Sequence, residues 1–199
     1  VRQIDRVLEQ GGTLPGAALP EGGDAVRILS IHRSKGLEFP VCFVADLAKN
    51  FNRQDSYGSV LLDADAGFCS IRRERSGKQY TTVPLEATRL SILSSMLSEE
   101  MRVLYVALTR AKQRLILVGH TERLDRKLAG MAGTLTGRQR IPPAAVRSGG
   151  SYLDWLLMGW LRHPDAEILR ARCPARPHPF EADFPREVVC SLPEEALPV

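Results

Sequence analysis

Apolar residues in this chain gather in short dense runs, with one long periodic segment near the middle. Residues 26–32 (VRILSIH) and 40–45 (PVCFVA) are almost continuously apolar, which predicts two strands of a parallel sheet covered on both faces. The SKGLEF between them is too short for a full crossover helix, so their adjacency would need another route. Residues 59–63 and 67–72 flank the turn-like Ala64-Asp65-Ala66 and predict a hairpin set in as an insertion, followed by a polar, exposed loop over 72–80. The strongest helix signal covers residues 85–112. Leu90, Leu93, Leu97, Met101, Leu104 and Leu108 recur at steps of three and four and form one stripe, with Tyr105 in the core on its flank. Pro84 suits the first turn, and Arg110 and Lys112 are expected in the last turn, where positive charge complements the helix dipole. A strand over 114–119 (RLILVG) follows, then a helix over 121–131, a loop over 130–150 and a helix over 151–160 capped by Ser151. Residues 1–9 fit the end of a helix, 11–24 a Gly/Pro-rich linker, and the proline-rich stretch from Cys173 a tail. Strands alternating with helices predict an α/β layered fold.

Composition changes this picture little. With 44% apolar and 25% charged residues in 199, a sizeable core can be buried. No apolar run is long enough to cross a bilayer and no signal segment opens the chain, so no membrane partner is expected. The chain starts at Val1 rather than Met, which reads as the interior of a longer protein. A net charge of +4 permits a polyanionic partner without requiring one. The four cysteines, Cys42, Cys69, Cys173 and Cys190, form no CxxC pair, and His120, His163 and His178 share no ligand spacing and are taken as surface residues. No metal site or disulfide framework is expected, and a reducing cytoplasm fits best. Trp155 and Trp160 are expected to pack against a neighbouring part of the parent protein, and Arg72, Arg73, Arg75 and Lys78 to line a solvated loop.

Two constellations carry chemistry. In VRILSIHRSKGLEFPVCFV, Ser30 and His32 stand two apart at the end of a predicted strand and would share a face suited to phosphates or bases. Gly36 permits a left-handed or close backbone approach, and Glu38 is a lone carboxylate of the kind that accepts a ribose hydroxyl. In EEMRVLYVALTRAK, ideal helix geometry turns Arg110 away from the buried stripe, where a fixed guanidinium suits a γ-phosphate; Glu99 and Arg102 are spaced to pair. These residues are expected at the carboxyl ends of strands, where α/β folds bind ligands.

SIHRSKGLEFP resembles motif V, and EEMRVLYVALTRAKQRLIL motif VI, of the UvrD-like superfamily 1 DNA helicases, over roughly residues 25–120. KNFN, the hairpin insertion and SYLDWLL…RHPD are most similar to the AddA (RexA) family of helicase–nuclease subunits. The resemblance implies a RecA-like parallel sheet flanked by helices, of the P-loop NTPase superfamily. It would be a second motor domain with no Walker A loop of its own, since the sequence contains no GxxxxGK[ST]. It implies residues 1–24 as a linker from a preceding helical subdomain. Residues 25–172 would be the helicase C-terminal domain, with an insertion at about 50–82, and 173–199 a linker toward a nuclease domain. By motif position, Arg110 would be the catalytic arginine finger, Gly36 and Glu38 would lie beside ATP, and Ser30, His32, Arg33 and Lys35 would contact DNA. The implied function is an ATP- and Mg²⁺-dependent 3′-to-5′ helicase, with an exonuclease elsewhere in the parent, acting in double-strand-break repair by recombination. Its implied partners are single- and double-stranded DNA, the first RecA-like domain and an AddB (RexB)-like subunit. The segment alone would be inactive. A piece of a standalone UvrD or PcrA-type helicase, and a non-catalytic module keeping the fold, are the alternatives.

Overall fold

A computed structural model describes residues 25–135 and 140–173. The expected helix over 1–9, the linker over 11–24, most of the C-terminal tail, His178 and Cys190 lie outside the described residues. Contacts divide the chain into a unit Val1–Ser30 and a unit Ile31–Val199.

In the first unit, residues 25–30 are irregular and exposed, with Val26 and Ile28 more than nine-tenths accessible. The strand expected over 26–32 does not form. An apolar β-rich run becomes a strand only by pairing, and no described strand pairs with this one. His32 consequently opens a single 3-10 turn, His32–Ser34, instead of ending a strand beside Ser30.

The second unit is built on two parallel strands, β1 (Phe39–Val44) and β6 (Ala111–Leu117). Their register runs from Phe39↔Ala111 to Val44↔Leu117 and slips by one residue opposite Pro40, whose nitrogen cannot donate to the ladder. Coverage on both faces, expected from the apolar composition, is not found among the described residues: Phe43 is 70% and Val41 46% exposed. Between the two strands lie the expected hairpin, β2 (Val60–Asp63) with β3 (Gly67–Ser70), and a small second one, β4 (Arg72–Arg73) with β5 (Gln79–Tyr80), inside the expected loop. The first turn closes because the Asp63 carboxylate accepts from the amides of Asp65 and Ala66, and Gly67 takes φ +70°.

Helix α1 (Val83–Leu108) follows, with Pro84 in its first turn and Thr82 Oγ1 accepting from Leu85 N. It does not bury one continuous stripe. Its N-terminal half buries Leu85 and Thr88 against Leu61 and Cys69 of the hairpin, while Leu104 farther along packs on Phe51 and Trp155. Leu90 and Tyr105 are both 68% exposed, and Met101 is also exposed, because the helix changes contact face along its length. Glu99 and Arg102 do pair, at 2.5 Å, on the solvent side.

The remaining helices, α2 (Leu124–Leu135), α3 (Pro143–Ser148), α4 (Tyr152–Trp160) and α5 (Glu167–Ala171), close the main core. That core joins Leu47, Leu128, Leu153, Leu157, Leu161, Leu169 and Cys173. Ser151 caps α4 as expected, its Oγ accepting from Asp154 N. Helix α3 lies within the expected loop over 130–150. Trp155 is buried inside this chain instead of facing a neighbour: its ring meets Phe51 at a centroid separation of 4.8 Å and its Nε1 donates to the Val146 carbonyl. Trp160 also packs against the core, and His163 is buried, not superficial.

Candidate functional site

The two motif segments meet at the amino ends of the parallel strands. Residues 32–38 run directly into β1 and Arg110 runs directly into β6, so the register Phe39↔Ala111 sets them side by side. Phe39 N donates to the Arg110 carbonyl at 2.9 Å. The expected location at the carboxyl ends is therefore reversed. Each motif precedes its strand, and parallel pairing brings the two leading segments to the same edge.

Arg110 is not in the last turn of the helix. Helix α1 stops at Leu108, Thr109 is its C-cap, and Lys112 already belongs to β6. The helical wheel consequently does not set the direction of Arg110. Its half-buried guanidinium is held by three acceptors. Nε donates to the Val106 carbonyl at 2.9 Å, Nη1 to the Leu37 carbonyl at 2.9 Å and Nη2 to Thr109 Oγ1 at 2.8 Å. The Val106 carbonyl, at the helix end, also accepts from Thr109 N, and Arg110 adds a side-chain cap from outside the helix. The Leu37 contact ties motif VI to the loop of motif V.

That loop owes its path to Gly36, at φ +83°, a region that favours glycine. Ser34 is buried and its Oγ donates to the Ile31 carbonyl, closing the turn that carries His32 and Arg33. His32, Arg33, Lys35, Gly36 and Glu38 are all exposed. Glu38 does not touch Arg110; its carboxylate pairs with Lys112 at 3.2 Å, both side chains being well solvated. The guanidinium is thus next to a carboxylate in strand register, yet all three of its acceptors are neutral oxygens. Ser30, in the first unit, is exposed.

Sequence reasoning missed three participants. Thr109 and Lys112 carry no distinctive spacing, and the Leu37 acceptor is a backbone carbonyl, which no residue type announces. It also missed the tie between the motif VI helix and α4, where the Tyr152 hydroxyl donates to the Glu100 carboxylate. Burial first, then this hydrogen bond and the carboxylate charge, push the Tyr152 pKa well above the ordinary tyrosine value.

A second concavity, of about 730 Å³, opens near the carboxyl end of β6, between α2 and the start of α4. His120, Arg123, Arg126 and Lys127 line it, with the buried Asp154 bridging to Lys127 at 2.6 Å. It contains none of the motif residues. The motif residues lie instead at the amino ends of β1 and β6, around the half-buried Arg110.

The two motif segments thus lead into one parallel strand pair of an α/β layer. The family model for the UvrD-like helicase C-terminal domain matches residues 16–122, and the chain belongs to that family. Its fold is accordingly α/β of the P-loop NTPase type. Among individual proteins, it is 40% identical over 196 residues to AddA, the ATP-dependent helicase/nuclease subunit of Bacillus mycoides strain KBAB4, covering 95% of this chain and 16% of that protein. The protein of the same name from Bacillus cereus strain ATCC 10987 is 44% identical over 172 residues, covering 85% of this chain and 14% of the relative. That of Moorella thermoacetica is 43% identical over 173 residues, covering 85% and 12%. The chain thus spans about a sixth or less of the length of the curated relatives it matches.

Proposed function

We propose that this segment is the second motor domain of an AddA-like, ATP-dependent 3′-to-5′ DNA helicase–nuclease subunit of double-strand-break repair, and that Arg110 is its arginine finger. The observation that carries the reading is the state of Arg110: a half-buried guanidinium fixed by three neutral oxygens, with N–H groups to spare and, among the described residues, no carboxylate on it. Charge on a γ-phosphate rises during transfer, and a cation already held in place stabilises it without reorganising. Glu38 and Gly36 stand on the same strand edge, suited to the ribose side of ATP. His32, Arg33 and Lys35 form an exposed basic turn one step away, suited to the strand backbone, with Ser30 preceding it. The first RecA-like domain of the parent would supply the Walker A loop and most of the Mg²⁺ ligands, and its docking would bring substrate to Arg110. In this reading the segment alone does not turn over ATP, an AddB-like subunit is the partner, and the parent works on DNA in the cytoplasm. Residues 1–24 and 173–199 serve as links to its other domains.

The test is Arg110→Ala in the full parent protein. DNA-stimulated ATP turnover is expected to fall by about 10³-fold or more, with nucleotide binding little changed. Turnover within a few-fold of the unaltered protein would overturn the assignment.

A further inference from the structure

The geometry points to Thr109 as a positioning residue for Arg110: its hydroxyl bridges the end of helix α1 and the guanidinium, and fixes where that cation stands. This rests on the reading of Arg110 proposed above.

An unrestrained arginine loses considerable rotamer freedom when it grips an anion, and that loss is smaller if the side chain is already held. Of the three acceptors on Arg110, two are backbone carbonyls, Val106 and Leu37; Thr109 Oγ1, at 2.8 Å from Nη2, is the side-chain acceptor. The direction of every proton at Thr109 is determined. The hydroxyl lies 2.9 Å from the Tyr105 carbonyl and 3.1 Å from that of Val106, and carbonyls only accept. The guanidinium only donates. The hydroxyl therefore gives its proton to the helix end and turns a lone pair to Arg110. The backbone amide of Thr109 bonds the same two carbonyls, which anchors the residue itself.

The result is a rigid relay from helix backbone to hydroxyl to cation. No counter-charge is involved, because the neighbouring carboxylate, Glu38, is engaged with Lys112. A carboxylate in the place of Thr109 would hold Arg110 more firmly but would compete with a phosphate for it. A hydroxyl holds direction without neutralising charge.

A merely structural helix cap and a positioning residue differ in what they move. Thr109→Val keeps shape and removes the hydroxyl; Thr109→Ser keeps the hydroxyl. In the full parent protein, kcat for DNA-stimulated ATP hydrolysis is expected to fall about tenfold in Thr109→Val, with KM for ATP within about twofold, and to stay near the unaltered value in Thr109→Ser. Thr109→Ala carries the same expectation as Thr109→Val and decides the matter should the valine variant fail to fold. In an Arg110→Ala background, Thr109→Val should cause no further loss, since it acts through that guanidinium. If Arg110→Ala abolishes turnover while Thr109→Val or Thr109→Ala leaves kcat within about twofold, the positioning role is wrong and the arginine finger stands. If Arg110→Ala itself has no effect, the reading of the site fails and takes this inference with it.

Discussion

Replacing Gly36 separates the backbone's share of the site from every side chain in it. The residue sits at φ +83°, and a Cβ built there would meet nothing within 4 Å. Gly36→Ala therefore causes no clash, and its cost is conformational alone. Holding an L-residue in the left-handed region costs about 1–2 kcal/mol. Alanine also restricts the unfolded chain, which returns about 0.4–1 kcal/mol. The net expectation is a loss of roughly 1 kcal/mol, or about 2–4 °C in Tm for a domain of this size. Gly36→Asn should lose less, because asparagine tolerates this region, and Gly36→Val more, because β-branching does not. Thermal unfolding of the 199-residue chain, followed by circular dichroism, reads the series. The same three substitutions in the parent should reduce ATP turnover in the same order, since Leu37 follows Gly36 and its carbonyl holds Arg110 Nη1. The sign is decisive. At a position any residue can occupy, Gly→Ala stabilises; a Gly36→Ala variant more stable than the parent sequence would refute the left-handed loop and the placement of Leu37 built on it.

Two further outcomes follow from the packing around α4. Trp155→Ala should cost about 3–5 kcal/mol in urea unfolding, because the ring is enclosed by Phe51, Tyr152 and Leu104. Trp155→Phe should cost much less, since the Val146 carbonyl keeps the amide of Gly149; a loss below about 0.5 kcal/mol for alanine would mean the ring is not in this core. Tyr152 has a raised folded-state pKa, so its contribution to stability is fully present below the ordinary tyrosine value of about 10 and is lost as pH climbs through the folded value. Phenolate absorbance should show one tyrosine that ionises only as the protein unfolds in alkali, and Tyr152→Phe should remove that signal; an unchanged titration would contradict the Glu100 contact.

What could be read from the sequence was local. The hairpin is announced by its turn, with Asp63 and Gly67 supplying the hydrogen bonds and the positive φ it needs. Ser151 and Pro84 mark helix starts because capping and ring geometry act within one turn. β1 and β6 were visible as apolar runs. What failed depended on distant partners. Residues 26–32 have a strand's composition, but composition does not provide a neighbour to pair with. Trp155 and Tyr105 exchanged expected places, since periodicity finds an apolar face without saying which part of it is covered. The end of α1 was placed too late for a different reason: Thr109 and Arg110 satisfy the last carbonyls with their own side chains, stopping a helix whose apolar rhythm would carry on.

The same error matters most at the site. Had Arg110 been in the last turn of α1, its charge would chiefly have offset the helix dipole, and its direction would have followed the wheel. Lying one residue past the cap, it still meets the helix's negative end, through Val106, but it also reaches the loop before β1, through Leu37. Dipoles of this kind stabilise a cation by fractions of what a buried carboxylate gives, typically about 0.3–1 kcal/mol at a partly exposed helix end. In the proposed reading, an incoming phosphate would therefore have little to displace. The pairing of Glu38 with Lys112 works in the same direction, because it occupies the acid that stands beside Arg110 in strand register. A residue that must be rigid and yet available for an anion is best held by neutral oxygens, and the boundary between a helix end and a parallel strand edge is where the backbone supplies them.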